Sequence, residues 1–170
     1  MLLHDRSGAG VNEESGLIVT RSGKRFCNEY QFHSLVGAEL ARTGSAGAWY
    51  ITCGDEPFQL LNYALTLPDT PKAGSIKELA GKMGVDPEVL ENTVNRYNEL
   101  CRAGFDEDFE KPAGQMHELQ GPVYYAVFLK PATSITLGGL QIDITGRVLD
   151  QEVRIIPGLF AYGEVENTGN

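Results

Sequence analysis

The residues best suited to chemistry stand near the C-terminus, where Ile156-Pro157-Gly158-Leu159-Phe160-Ala161-Tyr162 runs into Gly163-Glu164-Val165. The run reads as a buried strand that empties into a glycine turn carrying one carboxylate. Glycine lets a backbone come close to a ligand, and a carboxylate at a strand end can grip vicinal hydroxyls. Gly163 and Glu164 are therefore candidate cofactor-binding residues, against the plainer alternative of an exposed turn glutamate. Gly138-Gly139 is a second place where bare backbone admits a flat ligand, and an ordinary β-bulge fits that pair equally well.

The elements that must position these residues fall into two stretches. The first runs to about residue 122 and mixes strands with helices. Leu17-Ile18-Val19-Thr20 and Ala48-Trp49-Tyr50-Ile51-Thr52-Cys53 read as strands. Leu35–Arg42 and Phe58–Leu65 read as helices. Ser75-Ile76-Lys77-Glu78 is a capping box that opens a helix ending at Gly84. Asp86-Pro87 opens another, with Val89, Leu90, Val94, Tyr97 and Leu100 or Cys101 on one face and Gly104 at its end. The acidic run Phe105–Glu110 reads as a solvated loop, and residues 1–15 as a loose tail. From Tyr124 onward the pattern is of strands alone: Tyr124–Leu129, Leu140–Ile144, Arg147–Leu149 and Leu159–Tyr162. Four strands with no covering helix need further strands to complete their sheet.

Bulk composition narrows the function classes. The 170 residues, 42% of them hydrophobic, suffice for one core, or for a core plus an appended lobe. A net charge of −9 argues against nucleic acid or an anionic membrane as the main partner. No apolar run is long enough to cross a bilayer. Cys27, Cys53 and Cys101 are isolated and odd in number, which suggests reduced thiols in a cytoplasmic protein rather than disulfides or a zinc site. His4, His33 and His117 are too scattered to suggest any metal. Gly8-Ala9-Gly10 is followed by Glu13 where a dinucleotide fingerprint requires glycine, so it is not one.

Several motifs in order carry a family resemblance. Leu17-Ile18-Val19-Thr20, Gly23-Lys24-Arg25-Phe26 and Asn28-Glu29 resemble the fumarate reductase and succinate dehydrogenase flavoprotein superfamily. So do Thr93-Val94-Asn95-Arg96-Tyr97-Asn98 with Gly104–Phe109, Pro122–Ala126, Thr136-Leu137-Gly138-Gly139 and the closing Ile156–Val165. The similarity is greatest to the group of soluble fumarate reductases, urocanate reductases and 3-ketosteroid dehydrogenases. The resemblance implies an FAD-binding domain interrupted by a mobile capping domain, with a small-molecule substrate held between them. It implies an α+β chain: residues 1–122 as tail and capping lobe, and residues 123–170 as the C-terminal segment of an incomplete FAD domain. The expected activity of the parent protein is hydride transfer between flavin and a carbon–carbon bond next to a polarising group. The chain alone, lacking the family's glycine-rich motif, is expected to be an inactive fragment that needs the rest of the flavoprotein or a flavin subunit. A binding or docking module, or an inactive remnant, is the rival reading.

The resemblance also implies site residues. Glu164 would accept a hydrogen bond from a ribityl hydroxyl of FAD, with Gly163, Gly138 and Gly139 admitting the backbone. In the fumarate reductases the stretch after Asn-Glu contains Thr-Thr-Arg-Asp, whose arginine donates a proton. Here the stretch is Tyr30-Gln31-Phe32-His33-Ser34, so His33 falls at the donor's position. Tyr30 is a second candidate for acid chemistry, and a plain surface or core histidine is the alternative for His33. Two departures bear on substrate. Gly8-Ala9-Gly10-Val11-Asn12 replaces the family's Thr-Glu-x-x-Arg, and Ser134-Ile135 replaces its His-His. Those changes remove the groups that would hold a dicarboxylate, so fumarate is not the expected substrate.

Overall fold

The computed structural model describes residues 2–4, 16–54, 69–132 and 139–167. The chain is mixed α+β and divides into two compact units, Met1–Ala132 and Thr133–Asn170. The first is built on an antiparallel sheet of β1 (Leu2–His4), β2 (Leu17–Thr20), β3 (Ala48–Cys53), β4 (Lys72–Ala73) and β5 (Tyr124–Ala132). Strand order is β1-β5-β3-β2, with β4 also on β5. The β3–β5 register runs from Ala48 opposite Leu129 to Cys53 opposite Tyr124. β1 begins within the stretch expected to be a loose tail, because Leu2 to His4 pair with Lys130 to Ala132 at the far end of β5. The expected change of character near residue 122 lies at the entry to β5; the compact unit extends through that strand's end at Ala132.

Alternation along these strands buries both sheet faces. Leu17, Val19, Ile51 and Ala126 pack with Leu79, Leu90, Val94 and Tyr97 from α2 (Ile76–Met83) and α3 (Pro87–Ala103). Ile18, Tyr50 and Leu129 pack on the other face with Val36 and Leu40 of α1 (His33–Arg42). The three helices begin differently. Ser75 Oγ accepts from Glu78 N at 3.2 Å, while the Glu78 carboxylate takes Gly74 N at 3.3 Å. Asp86 Oδ1 accepts from Glu88 N and Val89 N. α1 has no such cap: Phe32 precedes it, and its first turn carries no acidic residue. Something other than a cap must therefore fix where α1 starts. The expected helix Phe58–Leu65 lies outside the described residues.

The second unit has a parallel pair, β6 (Leu140–Gln141) with β9 (Glu166–Asn167), and an antiparallel pair, β7 (Arg147–Leu149) with β8 (Ile155–Phe160). Two Asp-to-Arg turns shape it. Asp143 takes the backbone N–H of Thr145 and Arg147, and Asp150 takes those of Glu152 and Arg154. Gly146 supplies the left-handed φ of 78° that the first turn requires, and Val153 adopts φ 62° in the second. The expectation of a buried closing strand is corrected here: every residue of β8 is exposed, Leu159 at 42% and Phe160 at 56%. The sequence is apolar enough to be core, but among the described residues β8 is paired only along its β7 edge.

Candidate functional site

In the first unit, the motif Lys24–Glu29 is tied to the loop that follows α3 by a buried cluster of charges. Arg25 donates through Nε and one Nη to Glu29 (2.8 and 2.9 Å), and through both Nη to Asp106 (3.0 and 2.7 Å). Its guanidinium also lies 5.1 Å from the Tyr97 ring centre and 4.9 Å from that of Phe109, within cation–π range. Lys111 Nζ stands 3.4 Å from Glu29 and donates to Gly16 O and Tyr97 Oη. Glu29 and Asp106 are each at most 1% exposed and Lys111 is 3% exposed. Two cations facing two anions make the cluster neutral, which is what permits its burial.

Burial shifts the groups of this cluster in opposite directions. Burial by itself would raise the Asp106 carboxyl, but Arg25 and the N–H groups of Phe109 and Lys111 outweigh it and hold the group below the usual carboxylate range. Burial holds Lys111 below the ordinary lysine value, against the pull of Glu29. Burial also drives the Cys27 thiol far upward, so this cysteine is an inert core residue rather than a nucleophile.

The expected solvated loop at Phe105–Glu110 is corrected on one residue. Asp106 is fully buried and organises the turn, taking the N–H groups of Asp108, Phe109 and Lys111. The other acidic residues of the run, Glu107, Asp108 and Glu110, are exposed, and Arg96 pairs with Glu107 and Asp108 there. Composition could not separate Asp106 from its acidic neighbours, because its partner Arg25 is 81 residues away.

The same segment carries the two candidate acid groups. Asn28 Oδ1 accepts from Tyr30 N (2.9 Å), and Asn28 Nδ2 donates to Glu110 O (3.1 Å). Tyr30 is 42% exposed. His33 is the first residue of α1. The structure thus places Tyr30 and His33 on one short, tethered segment.

In the second unit, Gly163 and Glu164 form a short 3-10 turn between β8 and β9. Gly163 has a left-handed φ of 75°, and among the described residues beyond its two chain neighbours no atom lies within 4 Å of where a side-chain Cβ would stand. Leu140 pairs with Glu166 in the parallel ladder. Gly139, just before Leu140, and the Gly163–Val165 turn, just before Glu166, therefore come to the same end of the β6–β9 pair. Gly138 lies outside the described residues. Bare backbone at two neighbouring positions, with an acidic residue in the turn, fits a nucleotide cofactor approached by the main chain.

The comparison with known protein families gives a match along the whole chain: the profile of the FAD binding domain matches residues 1–170. The chain belongs to this FAD-binding family. Its cofactor is FAD, and its relatives are oxidoreductases. A fumarate reductase (cytochrome) from Shewanella frigidimarina is 34% identical over 159 residues, which are 91% of this chain and 27% of that protein. A 3-oxosteroid 1-dehydrogenase from Mycobacterium tuberculosis is 32% identical, over 91% of this chain and 34% of its own length. Among solved structures, the open conformation of a flavocytochrome c3 fumarate reductase superposes with a TM-score of 0.77 at 29% identity, over 92% of this chain and 28% of that one. The FAD-family chain thus spans about a quarter to a third of these two curated relatives. Among its described residues no helix is long and apolar enough to cross a membrane, and no cluster of His, Cys, Asp or Glu could hold a metal ion.

Proposed function

We propose that this chain supplies the capping lobe and the closing flavin-domain segment of an FAD-dependent oxidoreductase that acts on a carbon–carbon bond next to a polarising group. One observation carries the reading: the parallel β6–β9 pairing gathers Gly139 and the Gly163-Glu164 turn at one strand end. On this reading Glu164 accepts a hydrogen bond from a ribityl hydroxyl, while Gly163, Gly138 and Gly139 let the main chain approach the cofactor. FAD, when bound, supplies the redox chemistry, and the chain's own residues bind, orient and move the proton. His33 is the proposed proton donor and Tyr30 its rival. The functional boundary is placed at 122/123, with β5 the strand along which the chain leaves the lobe. Fumarate is not the proposed substrate, because Gly8–Asn12 and Ser134-Ile135 offer no cation to a dicarboxylate.

Exposure of Ile155, Leu159 and Phe160 supports a further flavin-domain segment lying over β8. A stand-alone docking module would cover those side chains with its own residues. The reading is tested by titrating FAD against the purified 170-residue chain, and against the chain joined to a family segment bearing the Gly-x-Gly-x-x-Gly motif. Tight binding is expected only in the joined protein. A chain that by itself purifies with about one oxidised flavin per polypeptide contradicts the reading.

A further inference from the structure

We infer that Asn28 is a positioning residue, which sets the start of α1, and with it the stations of Tyr30 and His33, through a tether to the loop after α3. The inference rests on the assignment of the proton donor to this segment. Four observations converge on it. α1 begins at His33 with no capping side chain, so its first turn does not fix its own start. Asn28 instead organises the approach: its Oδ1 takes Tyr30 N and its backbone O takes Gln31 N. Its Nδ2 reaches Glu110 O, 82 residues away in sequence. Glu110 is a non-glycine residue in the left-handed region, φ 57°, a conformation that persists only where its surroundings impose it.

Those surroundings are the Asp106 turn. Asp106 O takes Glu110 N at 2.9 Å, and the Asp106 carboxylate takes the N–H groups on either side, of Phe109 and Lys111. The strained backbone aims the Glu110 carbonyl at Asn28. One residue further on, Glu29 is locked by Arg25 and Lys111. The Asn28 tether is the part of this bracket that can be removed without stranding a buried charge, since Asn28 is neutral and half-buried.

Two substitutions separate its functions. In Asn28→Asp the side chain still accepts from Tyr30 N but has no N–H to offer Glu110 O. In Asn28→Ala both bonds go. Hydrogen exchange is measured on the full 170-residue chain, with α3 amides as the internal reference. In both variants the Leu35 and Val36 amides are expected to exchange at least about tenfold faster while α3 is unchanged; Tyr30 N stays protected only in Asn28→Asp. Wild-type protection of Leu35 and Val36, or a uniform acceleration that includes α3, overturns the inference. In the flavin-loaded joined protein, Asn28→Asp is expected to lower kcat about tenfold at unchanged KM; where His33→Gln or Tyr30→Phe itself lowers kcat, a change in KM alone, or in neither constant, overturns it. If exchange responds as expected while His33→Gln and Tyr30→Phe both keep full kcat, the donor assignment has failed and the tether stands as a structural device only.

Discussion

Replacing Arg25 with methionine is expected to cost the folded chain about 3 kcal/mol, enough to remove a large part of the stability of a domain this size. The guanidinium serves two carboxylates at once, and both are shut away from water. Without it, Glu29 keeps, among the described residues, Lys111 at 3.4 Å and Ile18 N at 3.4 Å. Asp106 keeps its backbone N–H donors, which places the cost at the low end of the ~3–5 kcal/mol typical for an uncompensated buried charge. Arg25→Lys should fall between wild type and methionine, because an ammonium keeps the charge but lacks the planar fork that bridges Glu29 and Asp106. Urea unfolding of the three proteins measures this. A loss below about 1 kcal/mol for methionine would mean that the cluster contributes little to folding.

The second large effect concerns turnover. In the flavin-loaded joined protein, His33→Gln is expected to lower the rate of double-bond reduction by about 10²- to 10⁴-fold, the usual contribution of a general acid. Tyr30→Phe should change it by less than about threefold. The opposite pattern would give the role to Tyr30, whose backbone N–H is already held by Asn28. An unchanged rate in both variants would remove the acid chemistry from this segment. An enone and fumarate, compared in the same assay, test the substrate limit. Rapid reduction of fumarate would show that a dicarboxylate is held by groups other than those at the matching positions 8–12 and 134–135.

Local chemistry was legible in the sequence wherever it was local. The Ser75 and Asp86 caps, the αL glycines at Gly84 and Gly104, and strands β2 and β3 stand where the pattern predicts them. Pairing over long distances was not legible. Nothing in residues 1–15 announces that Leu2–His4 adds to the edge of β5, since a three-residue strand has no period to read. Asp106 looks like its three acidic neighbours until Arg25 is brought to it. The apolar closing strand misled for a physical reason: hydrophobicity tells that a side chain should be covered, not that the cover lies within the same unit. For the site, the sequence supplied Gly163, Glu164 and Gly139 separately, and only the parallel register of β6 with β9 brings them to one strand end. Asn28 was readable as part of a motif, but its reach to Glu110 O was not.

The central claim is that the Gly163-Glu164 turn grips a flavin nucleotide. Its most direct measurement is the FAD dissociation constant of the joined protein with Glu164 intact and with Glu164→Ala, read from flavin fluorescence at neutral pH. Losing one charge-assisted hydrogen bond to a ribityl hydroxyl predicts affinity weakened by at least about tenfold. An alanine variant that binds FAD within twofold of the parent would contradict the account.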